Sequence, residues 1–159
     1  MKKVADRVRK SLRDLKPYYK PTKCYIEDSS SYTMILGNVR FKEVQCKDLA
    51  AMFDEGKVTK RVAVCNERKG KCILVDAGAK LLILDLKGNE IYFTVDECDK
   101  VSKWTKLGYI ITGKGEGRVI KTPRSGYIIL INEIFGHKAD RFKVYLVVEG
   151  NVHESRPEK

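Results

Sequence analysis

Hydrophobic positions along this chain change period several times, and each change marks an element. Val4, Val8, Leu12 and Leu15 recur at helical spacing across residues 2–16, with mostly basic residues on the other faces. That pattern predicts an amphipathic helix, which Pro17 and Pro21 stop. The runs "KCYIED" and "SYTMILGNVRFKEV" then predict short strands between polar turns. "CKDLAAMFDEG" returns to helical spacing, with Leu49, Ala50, Met52 and Phe53 inward and Gly56 closing it. Strands follow at "KRVAVC" and "CILVDA" around the turn "NERKGK", and "KLLILDL", "KGN" and "EIYFTV" read as a further hairpin. Asp96 with Asp99 three residues on resembles a capping box, and Val101, Trp104 and Leu107 give an apolar stripe. A third helix is therefore expected, ending at Gly108. From there the pattern is strands: "YIIT", "GRVIKT" and "YIILINE", expected as a three-strand meander, then "FKVYLVVE", with a short helical or irregular link between Glu133 and Arg141. The predicted fold class is α+β. A small N-terminal α/β lobe with its basic lead helix takes residues 1–97, and a mixed β-sheet lobe with a flanking helix takes 98–159.

Charge sharpens this picture. The net charge is +11, and it falls in blocks: residues 1–23 hold nine basic and two acidic side chains, whereas 101–126 hold six basic and one acidic. Basic blocks separated by acidic ones suit a polyanion, through phosphate neutralisation and counterion release. The competing reading is a lysine-rich solvated surface. Aliphatic runs such as "LLIL" are far too short to cross a bilayer, and the N-terminus has no hydrophobic core of a secretion signal. The expectation is a cytoplasmic protein without a membrane partner.

Five cysteines form no C-x-x-C pair and only two histidines are present, so zinc is poorly supported and neither metal nor cofactor is expected. Cys65 and Cys72 flank a turn and face each other across a hairpin; the choice between a disulfide and buried thiols stays open, with thiols the ordinary case. Gly113, Gly115 and Gly117 lie in "GKGEG", which lacks the Gly-Lys-Ser/Thr ending of a phosphate loop and leads into a strand instead of a helix. A tight turn or bulge is expected there. Asp76, Asp85 and Lys87 have the composition of a Mg²⁺ nuclease site of the PD-(D/E)xK type, with two carboxylates for the ion and a lysine for the attacking water. Set against it, eight residues carry "AGAK" as a turn between the aspartates, and solvated turn charges explain all three. Cys65 with His137 or His153 gives no nucleophile signature. Tyr145 sits in an apolar strand and is expected to pack.

The order of segments in the second half carries one further signal. "DKVSKWTKLGYIITGKGEGRVIK" and "FKVYLVVEGNVHE" resemble the catalytic domain of archaeal tRNA-splicing endonucleases, and "VQCKDLAAMFDEGKVTKRV" is similar to a helix of that family's N-terminal lobe. The resemblance runs from about Val44 onward and implies metal-free acid–base cleavage of precursor tRNA. The family's tyrosine position holds Lys121, its histidine position falls at Ser125 and Gly126, and only its lysine has a counterpart, Lys143. The resemblance thus implies a non-catalytic, structural subunit, with a catalytic endonuclease subunit as partner in a two-plus-two assembly and precursor tRNA as ligand. Lys114, Arg118, Lys121, Arg124 and Lys143 would touch RNA phosphates. The alternatives are a free-standing nucleic-acid-binding protein and the Mg²⁺ nuclease.

Overall fold

A computed structural model describes residues 22–136 and 138–156. The expected lead helix over 2–16 and His137 lie outside the described residues. Within them the chain is almost entirely antiparallel β-structure with a single helix, a curled half-barrel in place of the expected α+β arrangement.

Strands β1 (Thr22–Glu27), β2 (Met34–Leu36) and β3 (Val39–Val44) open the chain, and β2 and β3 pair through a tight turn at Gly37 and Asn38. Both turn residues have positive φ, 57° and 65°, as a two-residue hairpin of matching twist requires. Helix α1 (Cys46–Phe53) follows and buries Leu49, Ala50 and Phe53. Gly56, at φ 89°, donates its N–H to the Phe53 carbonyl and ends the helical segment as the sequence suggested. Strands β4 (Val62–Asn66) and β5 (Lys71–Val75) complete a hairpin, and the last strand, β13 (Val152–Ser155), pairs with β5. The resulting six-stranded sheet runs β13-β5-β4-β1-β3-β2.

A second sheet has the order β6-β12-β11-β8, from β6 (Lys80–Gly88), β8 (Lys100–Val101), β11 (Gly126–Glu133) and β12 (Asp140–Glu149). A third runs β10-β9-β7, from β7 (Glu90–Phe93), β9 (Lys106–Ile111) and β10 (Gly117–Lys121). The four-stranded sheet is the middle layer. On β12, Tyr145 and Val147 join Val64, Ile73, Phe53 and Ile129 in a cluster against the six-stranded sheet and α1. Val144 and Leu146, one residue out of phase, join Ile91, Leu107, Ile120 and Ile128 against the three-stranded sheet. Burial on both faces is why "YIILI" and "VYLVV" are unbroken apolar runs and not alternating ones. The outer side of the six-stranded sheet carries a smaller cluster around Phe41, Ala63 and Leu74.

Four expectations give way. No N-terminal α/β lobe forms among the described residues, because α1 is the one helix there and every strand pairing is antiparallel. The third helix is absent. Its capping-box pair does form, with the Asp96 N–H donating to Asp99 Oδ2 at 2.8 Å, but in a turn. Cys98 at φ 74° and Trp104 at φ 69° break any helical path, and pairing of Lys100 and Val101 with Tyr127 and Gly126 makes β8 instead. Strands β6 and β7 are not a hairpin: β6 pairs with β12 and β7 with β9. Nor do β9, β10 and β11 form one meander, since β11 belongs to the middle sheet. Strands from both sides of residue 97 share sheets, β6 with β12 and β5 with β13.

Two disulfides join Cys24 to Cys46 and Cys65 to Cys72, and Cys98 is the free, buried cysteine. Cys65 and Cys72 are direct cross-strand partners, so the hairpin register that the sequence suggested brings them together. Cys24 and Cys46 tie β1 to the first turn of α1.

Candidate nucleic-acid interface

The three-stranded sheet forms one outer layer of the molecule and carries a block of basic residues. In the β9–β10 ladder Ile111 faces Gly117, Ile110 faces Arg118, Tyr109 faces Val119, and Gly108 faces Ile120. A bulge then brings Lys106 opposite Lys121. On the β7 side Tyr92 pairs with Tyr109 and Phe93 with Gly108. Period-two alternation therefore puts Tyr92, Tyr109 and Val119 in one row across the sheet. The neighbouring row of Ile91, Ile110 and Arg118 turns to the other face, where Ile91 and Ile110 pack into the core. Val119 is 50% exposed, and the two tyrosines are half-buried.

Gly108 is what lets β7 approach. A Cβ there would collide with the Tyr92 carbonyl and come within 2.9 Å of the Phe93 Cα. At the far end of the ladder, Thr112 organises the turn: its N–H donates to the Glu116 carbonyl at 2.9 Å, and its Oγ1 accepts from the Glu116 N–H at 3.1 Å. Lys114 sits in this turn between Gly113 and Gly115, and the space around Gly113 is open. The sequence expectation of a tight glycine turn in place of a phosphate loop is met in the backbone.

Beyond the Lys106 end lies Trp104, 60% exposed and in the left-handed region. Its N–H donates to the Thr122 carbonyl at 2.6 Å, and the Lys103 N–H donates to Ser125 Oγ at 2.8 Å. The turn that presents the indole is thus fastened to the segment after β10. Lysines lie against these rings: Lys103 Nζ is 5.4 Å from the Trp104 centroid, and Lys106 Nζ is 4.8 Å from the Tyr109 centroid while donating to its hydroxyl at 2.7 Å.

Lys103, Lys106, Lys114, Arg118 and Lys121 have no carboxylate within ion-pair distance among the described residues, whereas about half of the other described lysines and arginines do. Arg61 binds Asp76 at 3.0 Å, Lys69 binds Asp99 at 2.6 Å and Lys71 binds Glu154 at 2.7 Å. Glu116 is the one acid between 103 and 121.

Of the five residues expected to touch RNA, Lys114, Arg118 and Lys121 therefore fall on one hairpin, with Arg118 on the opposite face from the tyrosine row. Arg124 lies in the following loop and pairs with Glu149 at 3.6 Å. Lys143 is on β12, 3.4 Å from Asp54 at the end of α1, and shares that carboxylate with the Tyr145 hydroxyl, which donates at 2.7 Å. Tyr145 is fully buried and packs on Phe53, as expected of it; burial first, then the bond to Asp54, raises its pKa well above the ordinary phenol value.

The PD-(D/E)xK reading loses its geometry. Asp76 follows β5 of the six-stranded sheet, while Asp85 and Lys87 lie on β6 of the middle sheet. Asp76 is held by Arg61, and Asp85 takes two hydrogen bonds from Arg141, at 3.2 and 2.8 Å, which hold its carboxyl below the usual range. No cluster of three or more potential metal-ligating side chains occurs among the described residues. Cys65 is in a disulfide, and His153 lies 3.7 Å from Asp76 on β13. The free Cys98 thiol donates to the Val64 carbonyl at 3.3 Å, and burial, with Glu97 second, pushes its pKa up to about 12, so it is no nucleophile. Sequence reasoning missed Trp104, Lys103, Lys106, Tyr109 and Tyr92. The available signal was "KWTK", an aromatic residue between lysines, which the helix reading turned into part of a core stripe.

With this geometry in view, comparison with protein families gives a match. Residues 19–149 fit the model of DUF2118, described as an uncharacterized protein conserved in archaea. The chain belongs to that family. The match replaces the tRNA-splicing endonuclease resemblance, which rested on the order of apolar segments, a property that many β-rich chains share. No curated protein matches the chain at a significant level. No helix among the described residues is long and apolar enough to cross a membrane.

Proposed function

We propose that this chain is a nucleic-acid-binding protein that holds a phosphate backbone on the β9–β10 hairpin. The carrying observation is the set of five basic side chains between 103 and 121 that no carboxylate among the described residues pairs, including Lys106 directly opposite Lys121. Like charges facing each other across a ladder cost stability, and a bound anion offsets that cost. The net charge of +11 supports the same reading.

The test is fluorescence anisotropy of labelled oligonucleotides across 50–300 mM salt. Five neutralised phosphates give a log–log salt slope of about −3.5 on a single strand or about −4.5 on a duplex. The double reversal Lys106→Glu, Lys121→Glu removes two contacts and adds two repulsions, so the slope falls by more than about 1.4. Binding that is absent at low salt, or that ignores both reversals, sinks the proposal.

A further inference from the structure

Resting on that reading, we infer that the ligand is a single strand, whose bases stack on Trp104 and Tyr109 while its phosphates meet Lys103, Lys106 and Lys121. Trp104 combines two local costs. Its indole is 60% exposed, and its backbone adopts φ 69°, a conformation that disfavours any residue with a Cβ. Glycine or asparagine would satisfy the same turn without placing an aromatic ring in water. An exposed ring on a turn pinned by the Trp104–Thr122 and Lys103–Ser125 hydrogen bonds is a rigid stacking surface.

The lysines place charge beside the rings. Lys103 and Lys106 each rest within 5.4 Å of an aromatic centroid with no carboxylate competitor among the described residues. A nucleotide offers both groups such a pair lacks: a π-face for the ring and a phosphate for the ammonium. Duplexes keep their base faces stacked inside and present phosphates alone, so they engage the lysines and leave Trp104 idle. Two other pairs do not belong to this surface: Lys100 with Tyr127, where Glu154 lies close to both side chains, and Arg40 with Tyr32, where Arg40 is on β3 of the six-stranded sheet.

Trp104 is the single tryptophan of the chain, which makes its emission a direct probe. Ten-nucleotide oligo(dT) and oligo(U) are expected to quench it saturably, and a duplex of equal length to bind by anisotropy with little quenching. Trp104→Ala should weaken binding of labelled oligo(dT) by about 5- to 150-fold, the range carried by one stacked base, and Trp104→Phe should recover part of the loss. Trp104→Gly should also weaken binding yet melt at a higher temperature than the wild type; a merely structural tryptophan would lower the melting temperature instead. Equal affinity for both strand forms with no quenching and no effect of Trp104→Ala overturns the single-strand assignment and leaves the polyanion reading standing. Absence of salt-dependent binding to either form overturns both.

Discussion

Cys24 and Cys46 lie 22 residues apart in sequence, and Cys65 and Cys72 lie 7 apart. Cross-linking removes loop-closure entropy from the unfolded chain, and the longer loop loses more. At 25 °C the chain-entropy relation assigns about 3.4 kcal/mol to the 22-residue separation and about 2.4 kcal/mol to the 7-residue one. The shorter bridge joins residues that the β4–β5 register already sets face to face. The longer one fastens α1, an eight-residue helix too short to persist alone, onto β1. Reduction of both should therefore cost about 6 kcal/mol, a large part of the 5–15 kcal/mol typical of a domain.

The variant Cys65→Ala, Cys72→Ala separates the two contributions, because Cys24–Cys46 is then the remaining bridge. Comparing its oxidised form with the same protein refolded under reductant leaves the packed atoms the same, so no cavity term enters. The expected loss is about 3.4 kcal/mol in urea unfolding, or roughly 7–14 °C in melting temperature at 2–4 °C per kcal/mol. Alkylation of the unfolded, unreduced wild type should modify one thiol, that of Cys98. Five modified thiols, or coincident unfolding curves for oxidised and reduced protein, would refute the reasoning.

Two further outcomes follow from the sheets. Gly108→Ala drives a methyl into the Tyr92 carbonyl and should cost about 1–3 kcal/mol by chemical denaturation, whereas Gly113→Ala, which meets open space, should lie within about 0.5 kcal/mol of wild type; equal effects at the two positions would contradict the packing. The Arg141 hydrogen bonds depress the Asp85 pKa, so their stabilisation is complete above the ordinary aspartate value of about 3.9 and is lost as pH falls through the lower folded value. Arg141→Ala should consequently lower the melting temperature slightly at pH 6, as expected of a partly exposed pair, and the gap from wild type should close towards pH 2. A gap independent of pH would assign the effect to lost packing.

What the sequence revealed and what it hid have separate physical causes. Strands β4, β5, β11 and β12 were legible because their apolar runs are short, β-branched and bounded by turn residues. Their pairing was not. Nothing in "KLLILDL" says that it will lie along "FKVYLVVE" and not beside the nearer "EIYFTV", since register between distant strands depends on which faces become buried together. The polar "VHES" gave no strand signal at all, and its pairing with β5 is supplied by the tertiary structure. At 97–108 local and tertiary preferences conflicted. Val101, Trp104 and Leu107 recur every three residues, yet Val101 and Leu107 are buried while Trp104 points to solvent. A stripe whose middle member is exposed cannot be a helix face.

That same conflict explains why the candidate site was only half visible. Lys114, Arg118 and Lys121 could be picked out by charge alone, since a turn and an edge strand leave lysine and arginine exposed in either fold. Recognising an aromatic surface required knowing that "KWTK" is a turn, because in a helix Trp104 would have been spent on the core. Two otherwise separate oddities then have one account. The opposed lysines of the ladder and the exposed, positive-φ tryptophan each lower stability locally, and they adjoin at the same end of one hairpin. Chance scatter of unfavourable residues does not require the charged and the aromatic one to be neighbours, or the tryptophan's turn to be bonded to Thr122, next to one of those lysines. A ligand that is both anionic and aromatic needs all three conditions at once.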